Sequence, residues 1–192
     1  MTTETNALNQ ELRKAGLGFT QIFWGNGKGK TTAALGTALR ASGNGYKVHV
    51  VQFMKNGVGN PEIDFPGEIK ALERFDTFTC RRFGSKDWVI GKPSKEQIEE
   101  VQKAFLYLKN CFNEGYDIVI ADEILYAIQL GLLREEDVAK LIDEKPENKE
   151  LILTGSHIPF PSLFAKANLV TEVKKIKHPY DAGFIARKGL EY

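Results

Sequence analysis

An apolar run, a glycine- and lysine-rich turn and an alanine-rich helix former follow one another near the start of this chain, and few folds accommodate that order. "FTQIFW" (Phe19 to Trp24) is aromatic and β-branched and is bounded by glycines, as a buried strand is. "GNGKGKTT" (Gly25 to Thr32) comes next. "TTAALGTALRAS" then sets Ala34, Leu35, Ala38 and Leu39 at helical spacing, before Gly43 and Gly45 end the segment. "YKVHVVQFM" (Tyr46 to Met54) reads as a second strand. Strand, loop, helix, strand is the repeating unit of a parallel α/β sheet.

The rest of the chain continues the pattern. Residues 55–93 are broken by glycines and prolines around one strand, "FDTFTCRRF". Ser94 and Gln97 form a capping box at the head of a helix with an apolar stripe of Ile98, Val101, Ala104, Phe105 and Leu108. "YDIVIADE" is a buried strand ending in two acids, followed by the helices "EILYAIQLGL" and "REEDVAKLIDE". "KELILTG" and "NLVTEVKKI" supply two further strands, with "IPFPSLFAKA" between them. Residues 1–17 read as a polar arm or short helix. Residues 18–192 read as one α/β domain with five or six mostly parallel strands.

Glycines 25, 27 and 29 free the loop to turn its amides inward around phosphate oxygens, and the helix behind it adds a positive end. In this reading Gly25, Asn26, Gly27, Lys28, Gly29, Lys30, Thr31 and Thr32 all border a nucleotide phosphate. Lys28 and Lys30 supply charge, and Thr31 stands where a P-loop hydroxyl ligates Mg²⁺. The usual pattern, G-x-x-x-x-G-K-[ST], has one misfit: Trp24 stands where its first glycine belongs. Asp122 and Glu123 close the run Ile118 to Ala121. That is the place of a Walker B acid, at the carboxyl end of a strand expected beside the P-loop strand. They read as metal ligands or as acids at a helix N-terminus, and such a pair also suits activation of water for hydrolysis.

Other candidates are weaker. His49, His157 and His178 have no zinc spacing and read as structural. Phe83 and Trp88, in "RRFGSKDWVIGKP", either stack on a flat ligand or anchor a loop, and Arg81 and Arg82 either meet anions or are solvated. The balance of 26 Lys plus Arg against 25 Asp plus Glu argues against a dedicated nucleic-acid partner. The two cysteines lie far apart, the N-terminus is polar, and no apolar run nears the ~20 residues of a membrane helix. A reduced, cytoplasmic protein is expected, without a membrane partner.

"GNGKGKTTAALG", "VVQFMK", "ADEILYAI", "LILTG" and "KHPYDAGF…GLEY" occur here in an order and at spacings that resemble the P-loop corrinoid adenosyltransferases, which act on cob(I)alamin or cob(I)yrinic acid a,c-diamide. The resemblance implies a RecA-like P-loop fold and a homodimer. It also implies transfer of the 5′-deoxyadenosyl group of ATP to Co(I) of a reduced corrinoid, with triphosphate leaving. A flavoprotein would supply the electrons. The implied ATP lies reversed in the loop Gly25 to Thr32, with Lys30 and Lys28 stabilising triphosphate. Mg²⁺ or Mn²⁺ sits at Thr31 and Glu123, with Asp122 in support. Phe83 and Trp88 are aromatics suited to the corrinoid, but their stretch, "FGSKDWVIGKP", departs from the G-F-T-W-type one that better-known members often carry, so the resemblance does not transfer these contacts position by position. Many relatives carry arginine where Ser156 stands, so an arginine contact to phosphate from that position is either missing here or supplied elsewhere. Two other functions share the motifs: an ATPase working on nucleic acid or as a motor, and a nonenzymatic nucleotide-binding regulator.

Overall fold

The structure is a computed structural model describing residues 16–55, 66–87 and 89–190. Six strands form one sheet: β1 (Thr20–Trp24), β2 (Val48–Gln52), β3 (Phe78–Arg82), β4 (Ile118–Asp122), β5 (Glu150–Thr154) and β6 (Leu169–Glu172). The order is β3-β2-β4-β5-β1-β6, and every pairing is parallel. The α/β architecture expected from the sequence, a parallel sheet flanked by helices, is present. One expectation needs correcting. The strand ending in Asp122 does not neighbour the P-loop strand, because β5 lies between β1 and β4.

Strands β2, β4 and β5 are buried along their whole length, as central parallel strands are, and the polar residues within them or at their ends, His49, Gln52, Asp122, Glu150 and Thr154, are buried too. Alternation within each strand sends side chains to two separate cores. Val51, Val119, Ala121, Leu151 and Leu153 meet α3 (Lys95–Cys111), α4 (Ile124–Gln129), α5 (Glu135–Glu144) and α6 (Pro161–Lys166) on one face. Val48, Val50, Ile118, Ile120 and Ile152 meet α1 (Lys30–Gly43) and α2 (Gly67–Leu72) on the other. The small side chains Ala34, Ala38 and Ala41 form much of the buried face of α1.

The capping box at Ser94 forms as the sequence indicates, with Gln97 N–H donating to Ser94 Oγ at 3.2 Å and Ser94 N–H to Gln97 Oε1 at 2.9 Å. The stripe behind it is rotated slightly from the expected one. Gln97 and Cys111 join Val101, Ala104 and Leu108 in the interior, while Ile98 stays 38% exposed. Of the arm expected over residues 1–17, all but the last two residues lie outside the described chain. Among the described residues no helix is long and apolar enough to cross a membrane.

His49 is a core residue, 2% exposed. Its Nδ1 lies 2.6 Å from Thr79 Oγ1, its Nε2 lies 3.1 Å from Tyr107 Oη, and its ring stacks on Tyr116 at 4.5 Å. Burial, helped by the nearby Arg81 guanidinium, pulls the imidazole pKa down to about 4. The fold therefore binds less proton than the unfolded chain, whose histidine titrates near 6.5. The resulting stability is complete above pH 6.5 and is lost as pH falls toward 4. Full titration costs of order 3 kcal/mol. Urea unfolding of wild type and His49→Gln at pH 7 and pH 5 should show the wild type losing about 2 kcal/mol more than the variant. Equal losses would show that His49 does not carry this pH dependence.

Candidate active site

The loop between β1 and α1 sits at the carboxyl edge of the sheet, where ligands of open α/β folds bind. Trp24 is the last residue of β1, and its indole packs on Phe164 with ring centroids 5.2 Å apart. The tight turn begins one residue later than the usual pattern expects, at Gly25. A β-carbon on Gly25 would lie 2.4 Å from the Val173 carbonyl oxygen, and one on Gly27 would lie 2.8 Å from the same atom. Both glycines are therefore demanded by close packing against the chain that leaves β6.

That packing revises one expectation about the loop. Gly25 N–H donates to Ser156 O at 3.1 Å and Gly27 N–H to Val173 O at 2.7 Å, so these two amides serve the protein's own backbone. Asn26 is held too, its Oδ1 accepting from Lys175 N–H at 2.9 Å. The amides of Gly29, Lys30, Thr31 and Thr32 open α1, where helical geometry offers them no acceptor within the helix. The backbone amides that the helix leaves without an acceptor thus lie in the second half of the loop.

The two lysines have different placements. Lys30 folds back over the loop and donates to Gly25 O at 2.7 Å and Gly27 O at 3.0 Å. Burial pulls its pKa below the ordinary lysine value, opposed by Glu123 and Asp122 and assisted by the Lys55 charge. Lys28 is exposed, and its ammonium donates to the carbonyl of Leu190 at 2.8 Å.

Asp122, fully buried at the end of β4, joins the pieces. Its Oδ1 accepts from Thr31 Oγ1 at 2.8 Å and from Thr154 Oγ1, at the end of β5, at 2.7 Å. Its Oδ2 accepts from Gln52 Nε2 at 2.9 Å and Lys55 Nζ at 2.8 Å. Four donors saturate the carboxylate. Burial would push its pKa up, but the Lys55 charge and these hydrogen bonds prevail and hold it below the ordinary aspartate value. Glu123 goes the other way. Burial and the neighbouring Asp122 charge raise its pKa, against the pull of Lys55 and Lys30. Burial disfavours the Lys55 ammonium as well, yet Asp122 and Glu123 outweigh it and raise its pKa.

Backbone geometry aims these groups. Among the described residues three non-glycines have positive φ: Met54 (57°), Glu123 (65°) and Ser156 (59°). All three lie one or two residues beyond the ends of β2, β4 and β5, at the edge that carries the loop. Left-handed backbone away from glycine is costly and is tolerated where the surroundings enforce it. At Glu123 the enforcing bond runs from its N–H to Thr154 Oγ1, 3.0 Å away. At Ser156, which is fully buried, Oγ donates to Ile158 O at 2.6 Å while the carbonyl holds Gly25.

Thr31, Asp122 and Glu123 present hydroxyl and carboxylate oxygens, the donors that Mg²⁺ prefers. The Lys55 ammonium lies among them, 3.2 Å from Thr31 Oγ1, 2.8 Å from Asp122 and 3.6 Å from Glu123 Oε1. Two carboxylates and one hydroxyl supply the donor types that a divalent ion takes, and among the described residues no third acidic, His or Cys side chain joins them.

Phe83 follows β3 and is half-buried, its ring 5.4 Å from Tyr107 and 5.1 Å from the Arg81 guanidinium carbon. Trp88 lies outside the described residues. His157 is exposed beside Tyr126, and His178 Nδ1 accepts from Tyr180 N–H at 3.2 Å, a capping role. Sequence reasoning missed Lys55, Thr154 and Gln52. The available signal was their position at or just past the ends of strands that flank the acidic one.

Residues 16–192 match the model of the family described as ATP:corrinoid adenosyltransferase BtuR/CobO/CobP. The corrinoid adenosyltransferase of Escherichia coli K12 is 32% identical over 177 residues, covering 91% of this chain and 86% of the relative. The corrinoid adenosyltransferase CobA of Salmonella typhimurium is 31% identical over 190 residues, again covering 91% and 86%. Among solved structures, EssC (ATPases 2 and 3) from Geobacillus thermodenitrificans aligns with a TM-score of 0.46 at 14% identity, over 90% of this chain and 35% of that one. A family match over almost the whole length, with relatives above 30% identity, shows that the chain belongs to the ATP:corrinoid adenosyltransferases.

Proposed function

We propose that the loop Gly25 to Thr32 holds the triphosphate of ATP as a leaving group while the 5′-deoxyadenosyl group passes to Co(I) of a reduced corrinoid. One observation carries this assignment of roles. Phosphate loop, cations and acids form a single hydrogen-bonded network in which the Thr31 and Thr154 hydroxyls donate to Asp122 and the Lys30 ammonium donates to loop carbonyls, so each of these groups is committed to the protein rather than held out as a nucleophile. The free thiols are inert, since burial pushes Cys80 up to about 12 and Cys111 up to about 11. A nucleophile brought by the substrate resolves the problem. Co(I) donates its electron pair to C5′ and becomes formally Co(III). The C5′–O5′ bond breaks, and its electrons leave with triphosphate.

The protein's part is then positioning and charge. The amides opening α1 and the Lys30 ammonium would meet negative charge as it grows on the departing oxygens. Lys28 would do so after exchanging its Leu190 carbonyl for phosphate. Mg²⁺ or Mn²⁺, held by Thr31 and Glu123 with saturated Asp122 behind them, would supply further positive charge to the leaving group. The nucleotide would lie reversed relative to phosphoryl-transfer P-loops. The closed first half of the loop supports this, since it leaves fewer backbone amides to wrap a terminal phosphate.

The corrinoid is assigned to the sheet edge beyond β3, with Phe83 and Trp88 as candidate contacts. Phe83 follows a strand four spacings from β1, about 19 Å across the sheet. A homodimer is supported by apolar side chains that the C-terminal segment leaves exposed, among them Ile176, Phe184 and Ile185. The electron donor would be a flavoprotein, and the setting cytoplasmic.

Incubation with ATP, Mg²⁺ and chemically reduced cobalamin should yield adenosylcobalamin and triphosphate. Formation of ADP and phosphate alone would overturn the reading. Lys30→Ala should keep its fold by circular dichroism and lose about 10²- to 10³-fold in rate, and unchanged turnover would remove the loop from the triphosphate site. Thr154→Val deletes the hydroxyl shared by Asp122 and the Glu123 amide. It should raise the Mg²⁺ concentration needed for half-maximal rate by about 10- to 100-fold and lower stability in urea by about 1–3 kcal/mol.

A further inference from the structure

We propose that Lys55 is an internal placeholder for the divalent cation, and that it keeps the metal site closed until nucleotide arrives with its metal. The proposal rests on the assignment of that cation to Thr31 and Glu123. Thr31 spends its hydroxyl proton on Asp122 Oδ1, so only its lone pairs remain for a cation, and one of them accepts from Lys55 Nζ at 3.2 Å. The same ammonium lies 2.8 Å from Asp122 Oδ2 and 3.6 Å from Glu123 Oε1. Mg²⁺ ligates oxygen at about 2.1 Å, and Mn²⁺ takes similar oxygen ligands, so neither can share that space with the ammonium.

The placement is built into the backbone. Lys55 N–H donates to Phe83 O at 2.8 Å, and Phe83 N–H donates to Gln52 O at 2.9 Å. These bonds clamp the chain on either side of Met54, whose left-handed φ turns Lys55 across the tops of β2 and β4. A fixed positive charge beside two acids does two things. It prevents Asp122 and Glu123 from repelling one another apart, so the oxygens stay converged without metal. It also opposes any divalent ion that arrives without phosphates. A metal carried by ATP brings its own negative charge and displaces the ammonium; a bare ion does not. Free metal is thereby refused while the metal–ATP complex is admitted.

Mn²⁺ binding followed by electron paramagnetic resonance tests this without turnover. Wild-type protein should bind Mn²⁺ weakly alone and tightly with ATP. Lys55→Gln keeps a donor for Asp122 but drops the charge, and should bind Mn²⁺ alone about tenfold or more tighter than wild type. Lys55→Met should behave likewise, whereas Lys55→Arg, which keeps the charge, should stay weak. If Lys55→Gln, shown folded by circular dichroism, binds Mn²⁺ alone no better than wild type, the placeholder is overturned. Glu123→Gln separates this failure from failure of the site assignment. If that variant binds Mn²⁺–ATP as wild type does, the metal does not sit at Glu123 and both ideas fall. If it loses Mn²⁺–ATP binding while Lys55→Gln changes nothing, only the placeholder falls.

Discussion

The Asp122 carboxylate is the fixed point of this molecule. It is fully buried at the end of a central strand, and it is tolerable there only because four donors, one of them the Lys55 ammonium, compensate its charge. Those donors arrive from three directions: Thr31 on the helix after β1, Gln52 and Lys55 from β2, and Thr154 from β5. Loss of any one leaves a lone pair unmet in a dry setting, so the ends of three strands and the head of α1 are held in mutual register by one side chain. The phosphate loop and the acids are thus parts of one object rather than separate motifs brought near each other.

Strain at the same edge follows from that demand. Met54, Glu123 and Ser156 all adopt left-handed backbone within two residues of a strand end, and each is pinned by hydrogen bonds on or beside it. A strand that simply ended would send its chain straight off the sheet. The reversal in φ instead folds it back across the sheet's edge, so that Lys55 and Glu123 look toward the loop. Some intrinsic conformational stability is given up in exchange for preorganisation, the usual pattern where a site must be complete before its ligand binds.

Much of this was legible in the sequence, and the illegible part has a common cause. Strands β1, β2, β4 and β5 are rich in apolar and β-branched residues, and the capping box at Ser94 is local, so composition and spacing suffice to find them. Strand order is not local. Nothing in "LILTG" says that it inserts between the P-loop strand and the acidic strand, and so nothing marked Thr154 as the bridge between Asp122 and Glu123. Lys55 was hidden for the same reason, since a lysine after a strand is ordinary until the acids opposite it are known. Gly25 and Gly27 were legible as glycines but not in their purpose. Their missing β-carbons make room for the Val173 backbone, which only the pairing of β6 with β1 brings close.

That last point explains the misfit at Trp24. The usual pattern separates its two glycines by four residues, whereas here three lie between Gly25 and Gly29. The position of the usual first glycine falls on the last residue of β1, where a large side chain is an asset because the indole reaches Phe164 and adds to the core. The turn then has to begin at Gly25, and it begins with that amide already committed to Ser156 O. With Gly27 tied to Val173 as well, the front of the loop is braced by backbone bonds and only its rear, at the opening of α1, faces outward with amides. A brace of this kind would fix the position of a phosphate held at the rear half without closing around it. Such a loop is suited to gripping a polyphosphate that must depart whole, and poorly suited to enclosing a single phosphoryl group in flight.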